Sequence, residues 1–182
     1  MEAADRSLVI DEDQADAYSM LGALHVIQRR YDEAVEAGSR SIEISPSAAD
    51  NYVHYATTLN FVGRAEEAVD LIQKAMRLSP FYPDYYLGIL GQSYRLLGRF
   101  EEAISADKER LALNPENAFS DIRLTAVYSE LGHDGEARFH VREALKKNPK
   151  YSLALMCDAE PYQDADDMEH YLELLRRAGL PE

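Results

Sequence analysis

The sequence predicts an all-α fold built from stacked antiparallel helix pairs. Three observations carry that prediction: a phrase written four times at one period, a proline ladder in step with it, and apolar residues at helical spacing in between. "GRAEEAV" at 63–69 and "GRFEEAI" at 98–104 are the clearest copies, and "RRYDEAV" at 29–35 and "GHDGEAR" at 132–138 are weaker ones. The phrase's alanine falls at Ala34, Ala68, Ala103 and Ala137, and a proline follows each at Pro46, Pro80, Pro115 and Pro149. Both ladders step by 34, 35 and 34 residues. A fixed period in that range marks a repeat architecture.

Four units follow: 15–48, 49–82, 84–117 and 118–151, with Pro83 as a one-residue insertion. Each reads as two helices. In the first helix of unit one, Tyr18, Leu21, Leu24 and His25 recur at helical spacing. A short break follows, with Gly63, Gly98 and Gly132 in units two to four. Glycine suits the left-handed conformation that ends a helix. The second helix opens on acidic residues, such as Glu66 and Glu67 or Glu101 and Glu102, which face the positive end of the helix dipole. "SPS", "SPF", "NPE" and "NPK" close the units, because a proline cannot continue the helix. Small residues recur at two facing places: Gly22, Ala56, Gly91 and Thr125 in the first helices, and the four phrase alanines in the second. Close helix crossings need small side chains there. One hairpin leaves apolar surface exposed, and stacking the hairpins buries it.

Unit three departs from the pattern. Asp107 and Arg110 stand where the second helix calls for an apolar and a small residue. Their i, i+3 spacing predicts that they pair with each other, partly exposed, in looser packing beside Pro83. A contact for a partner is the alternative.

The ends differ from the repeats. Residues 1–14 align with the latter half of a repeat: Ser7-Leu8-Val9-Ile10 matches Ser41-Ile42-Glu43-Ile44. Such a half unit is expected where a longer protein continues upstream, a native lone capping helix being the alternative. Leu8, Val9 and Ile10 are candidates for an exposed apolar contact, which makes a homodimer through this segment an expectation. At the other end, residues 152–182 read as capping helices. "SLALMCDAE" gives a short helix that stops at Pro161. A second helix starts after Asp164 as N-cap, carries Met168, Tyr171, Leu172 and Leu175 as one stripe, and ends at Gly179. A terminal repeat needs such a cover with a polar outside. Residues 1–182 thus read as a single domain.

Composition narrows the function. The chain has 182 residues, 46% hydrophobic and 29% charged, which suits a folded domain with a sizeable core. Its formal net charge of −14 argues against binding nucleic acid or an anionic membrane surface. No apolar run is long enough to cross a membrane, and the acidic N-terminus is not a secretory signal. The lone cysteine, Cys157, cannot build a disulfide framework, so a cytoplasmic setting is expected, with Cys157 packed in the core. No catalytic constellation, cofactor loop or metal site is expected. Glu136, His140 and Glu143 share a helix face at metal-compatible spacing, as do Glu169, His170 and Glu173, but no second cluster completes a site, and a solvated face explains both. Asp11-Glu12-Asp13 lacks the glycine and closing glutamate of a calcium loop.

Tyr18, Leu21, Gly22, Ala34 and Pro46, and Leu90, Gly91, Tyr94, Gly98, Phe100, Ala103 and Pro115, together resemble the tetratricopeptide repeat, in four units over 15–151. The resemblance implies a right-handed superhelical solenoid of antiparallel helix pairs, with a concave groove lined by the first helices. It implies a scaffold that binds a protein or peptide segment, and no enzyme. In that family the second, fifth, ninth and twelfth places of each first helix face the groove. Among the residues those places select here, Asn60, Tyr85, Gln92, Arg95, Phe119 and Ile122 are the expected partner-binding set: aromatic anchors with amide or cationic donors. The Lys and Asn set that clamps a peptide's C-terminal carboxylate in some members is absent, so an extended segment with an acidic or carbonyl-rich stretch near Arg95 is expected. A groove covered by another domain is the alternative.

The tail, "PYQDADDMEHYLELLRRAGLPE" after "NPKYSL", is similar to the endings of bacterial multidomain proteins that carry a class III adenylate or guanylate cyclase domain upstream of tetratricopeptide repeats. That resemblance implies context and not activity: a regulatory or assembly segment acting by packing within its own chain or by dimerisation.

Overall fold

Each copy of the repeated phrase opens a helix, and in three of them its arginine and glutamate meet across the first turn. Arg30 pairs with Glu33 at 3.0 Å, Arg64 with Glu67 at 2.6 Å, and Arg99 with Glu102. The arginine takes the N-cap position but makes no side-chain cap bond. These exposed pairs contribute little stability. The buried part of the phrase is its alanine: Ala34, Ala68 and Ala103 are fully enclosed.

The structure, a computed structural model, describes residues 15–182. The expected half-repeat helix at 1–14, the apolar contact at Leu8, Val9 and Ile10, and the Asp11-Glu12-Asp13 run lie outside the described residues. The described residues form ten α-helices and contain no strand. The chain divides into two compact units, Met1–Tyr82 and Pro83–Glu182, so the division falls at the inserted proline.

The first unit contains α1 (Ala15–Ile27), α2 (Tyr31–Ile44), α3 (Ala49–Phe61) and α4 (Ala65–Leu78). α1 pairs with α2 and α3 with α4, and α3 also packs on both α1 and α2. The hairpins cross closely at the small residues: a Cβ on Gly22 would stand 3.4 Å from the Ala34 carbonyl. The break between α3 and α4 uses Gly63 at φ 75°. In the first repeat Arg29 holds the same place at φ 57°, a left-handed conformation that disfavours side chains.

The second unit contains α5 (Tyr85–Leu96), α6 (Phe100–Leu113), α7 (Ala118–Glu130), α8 (Asp134–Lys147), α9 (Leu153–Ala159) and α10 (Ala165–Ala178). α5 pairs with α6 and α7 with α8, and α7 packs back on α6 and α5. The tail then turns over the repeats. Asp164 caps α10 by accepting from the Asp166 amide at 2.8 Å, and Gly179 ends it at φ 102°. Met168, Tyr171, Leu174, Leu175 and Ala178 are buried, so the packed stripe runs through Leu174 where the sequence pattern points to Leu172. α10 lies against α7, α8 and α9. Cys157 is only half-buried on α9, and is not the core residue its apolar neighbours imply.

Candidate binding face of the second unit

Two glycines on α5 shape the face. A Cβ on Gly88 would meet the guanidinium groups of Arg110 and Arg123, and one on Gly91 would come within 2.9 Å of the Asp107 carboxylate. Their absent side chains leave room for charge where a repeat core is ordinarily apolar. Asp107 is 1% exposed, and Arg110 forms its ion pair with Asp84 at 3.0 Å. The expected half-exposed Asp107–Arg110 pair is therefore replaced by a buried carboxylate and a salt bridge to the start of α5. Burial pushes the Asp107 carboxyl up from 3.8 to about 7, against the pull of Arg123.

Arg123 reaches from α7 across to the α5 backbone. It donates to the Gly88 carbonyl, to Gln92 Oε1 at 3.3 Å and to Glu160 Oε1 at 3.2 Å. Glu160 is 2% exposed and belongs to the irregular segment between α9 and α10. Its other oxygen accepts from Gln92 Nε2 at 2.6 Å and from the Tyr162 hydroxyl at 2.7 Å. Arg95 donates to that hydroxyl at 2.7 Å, and Gln92 does so at 3.1 Å. The Arg95 guanidinium also lies over the Tyr171 ring, 4.8 Å from its centroid. Burial raises the Tyr162 phenol, so it remains a neutral donor. Burial tends to lower the Arg123 guanidinium, and the Glu160 and Asp107 carboxylates outweigh it, so the charge is held. The result is a largely enclosed relay from Arg95 through Tyr162 and Glu160 to Arg123. Bonds of this charge-assisted kind are about twice as strong as neutral ones.

The structure thus places the six sequence-selected residues in different settings. Gln92 and Arg95 come together against the chain's own tail in the second unit, and Ile122 lies on α7. Gln92 and Ile122 are buried, and Arg95 is half-buried. Ala126 and Ser129 are buried on the same helix as Ile122, and Ser129 Oγ donates to the Leu174 carbonyl of α10 at 2.9 Å. Phe119 is half-buried beside Tyr151, with Arg123 over its ring. Tyr85 is half-buried, edge-on to Tyr86. Asn60 is buried in the first unit. Sequence reasoning misses Arg123, Glu160 and Tyr162. Arg123 shares its helix with the charges Asp121 and Glu130 and does not stand out there, and nothing local marks Glu160 or Tyr162.

The histidines of the suspected ligand sets are engaged elsewhere. His140 bonds Asp121 at 2.8 Å and His170 bonds Glu130 at 2.7 Å. Among the described residues no cluster of His, Cys, Asp and Glu could hold a metal ion, and no helix is long and apolar enough to cross a membrane. The first unit carries a cleft of about 790 Å³ with Tyr18, His25, Glu36 and Arg40 in its wall. The second unit already seats a segment of the chain on its repeat helices, which makes it the stronger candidate.

The fold is that of a helical-repeat protein, and comparison with known proteins adds what it is similar to. Residues 15–47 and 87–119 each match a family model described as tetratricopeptide repeat. The tetratricopeptide-repeat family is supported by these two matches and by the fold. The chain is similar to the crystal structure of PilW, a widely conserved type IV pilus biogenesis factor, at 18% identity and a TM-score of 0.77, covering 97% of this chain and 79% of that one. It is similar to a thermophilic tetratricopeptide-repeat protein in Thermus thermophilus, at 21% identity and 0.72, over 95% and 87%. It is also similar to YrrB, a tetratricopeptide-repeat protein with an unusual peptide-binding site, at 19% identity and 0.62, over 97% and 90%. At these identities the likeness concerns the fold. No curated protein matches the sequence.

Proposed function

We propose that this chain is a non-catalytic interaction module that binds an extended protein segment on the inner faces of its repeat helices. One observation carries the reading: the irregular stretch 160–162 lies on α5 and α7 and is held there by side-chain donors of three different residues. A face that takes up a non-helical stretch of its own chain has the chemistry to take up one from another protein. In the second unit the half-buried aromatics Tyr85 and Phe119 are the accessible anchors and Arg95 is the cation, with Gln92 and Ile122 on the same helices; Asn60 belongs to the first unit's helices. Panning a random-peptide library against the folded chain tests the reading. Peptides should be enriched, and Tyr85→Ala with Phe119→Ala should weaken them by about tenfold or more, as loss of aromatic anchors does. A library that yields no binder would overturn it.

A second reading follows the tail. The similarity to cyclase-type C-terminal regions makes the chain a regulatory or assembly segment of a larger cytoplasmic signalling protein. The observation in its favour is that the tail packs on its own repeats. The reading frame upstream of the Met1 codon tests it: an open frame encoding paired metal-binding aspartates supports the cyclase context, and its absence removes it.

A further inference from the structure

We propose that the second unit's inner face is a reader of partner segments in which a Glu or Asp stands two residues before a Tyr, and that residues 160–162 hold this face closed in cis. The inference rests on the segment-binding reading and adds the partner's chemistry. The donors are preset on rigid helices. Gln92 and Arg95 lie at i, i+3 on α5, and Arg123 is fixed on α7 by its bond to the α5 backbone. Together they present amide and guanidinium hydrogens to one carboxylate and one hydroxyl, with donor distances of 2.6–3.2 Å. Specificity follows from what each wrong ligand leaves behind. Without a carboxylate, the buried Arg123 cation keeps only the neutral Gly88 and Gln92 acceptors of this face, which is costly. Without the hydroxyl, Arg95 and Gln92 lose a shared acceptor in a dry site. A phenylalanine at the second position or a glutamine at the first therefore binds poorly.

The occupant is separable from the repeats in a specific way. The packing of α9 is chiefly against α10, and the 160–162 stretch is held by its polar bonds and by the buried Tyr162 ring, edge-on to Tyr171. A partner that supplies the same carboxylate and hydroxyl replaces those bonds one for one. Opening is then an exchange of equivalent contacts, not a net loss.

Fluorescence anisotropy tests this with a labelled peptide of the chain's own 158–164 sequence, DAEPYQD, and the full chain. The closed face of the wild-type chain should bind it weakly. In the variant Glu160→Gln with Tyr162→Phe the cis contact is weakened, and the peptide should bind at least about tenfold tighter, the effect of losing one charge-assisted bond in the competitor. A peptide carrying Gln and Phe at those two places should bind the variant at least about tenfold more weakly than DAEPYQD. Circular dichroism and a cooperative melt establish that the variant is folded. If it is not, Tyr162→Phe alone, which removes only a hydroxyl, takes its place. Equal binding of the two peptides to a folded variant overturns the proposal, as does equal binding of DAEPYQD to wild type and variant. If panning still enriches peptides that lack the carboxylate–Tyr pattern and depend on Tyr85 and Phe119, the module reading stands while this inference fails.

Discussion

Asp107 shows what a single buried charge does to a repeat protein. Its carboxyl titrates at about 7 in the fold and near 3.8 when unfolded. The folded form therefore binds the proton more tightly, and the group's favourable contribution is full below about pH 4 and lost as pH rises to about 7. Asp107→Asn cannot titrate. Its melting temperature relative to wild type should climb between pH 4 and pH 7 and then level off; a gap that narrows over that window would contradict the burial argument. Arg29 offers the opposite case, a residue whose strain is local. Glycine stands at the equivalent place in the other three repeats, and Arg29 has the same positive φ. Arg29→Gly should stabilise the chain by about 1 kcal/mol or less in urea unfolding, the left-handed strain being partly offset by glycine's freedom when unfolded. The 34-residue step alone makes Arg29 legible in the sequence. The burial of Asp107 is not legible, because Gly91 and Arg123, which surround it, lie on other helices.

Elements are legible wherever a local rule fixes them. The second helix of each repeat starts at its acidic turn and stops before its proline, and α10 begins and ends at the cap residues its sequence announces. The stripe of α10 is displaced from its sequence pattern because the pattern does not identify its partner, α7: packing direction selects Leu174 over Leu172. Leu175 is fully enclosed, so Leu175→Ala should destabilise the second unit by about 2–5 kcal/mol in denaturant unfolding. Two glycines separate shape from propensity. At Gly135, in the first turn of α8, an added Cβ meets nothing within 4 Å, so Gly135→Ala should stabilise by up to about 1 kcal/mol. At Gly91 the same methyl meets Asp107, so Gly91→Ala should destabilise by about 1–3 kcal/mol. If both substitutions shift stability in the same direction, the close approach at Gly91 is not real.

At the scale of the molecule, the expected partner-binding positions come from the family resemblance, and periodicity makes the helical-repeat class readable. It cannot show that the chain's own tail lies at any of those positions. Gln92 and Glu160 are 68 positions apart, and Arg123 and Glu160 are 37 apart. No pattern at a 34-residue step connects a repeat to a segment outside the repeats. Beside Arg95 stands the chain's own Tyr162 hydroxyl, bonded in turn to Glu160. The most direct measurement of that arrangement is a double-mutant cycle between Arg123 and Glu160, read by urea unfolding of wild type, Arg123→Met, Glu160→Leu and the double variant. Each single change strands a buried charge and should cost about 3–5 kcal/mol, while the double change should cost clearly less than their sum, with a coupling above about 1 kcal/mol. Additive losses would mean that Glu160 does not sit on Arg123, and that the tail does not close this face.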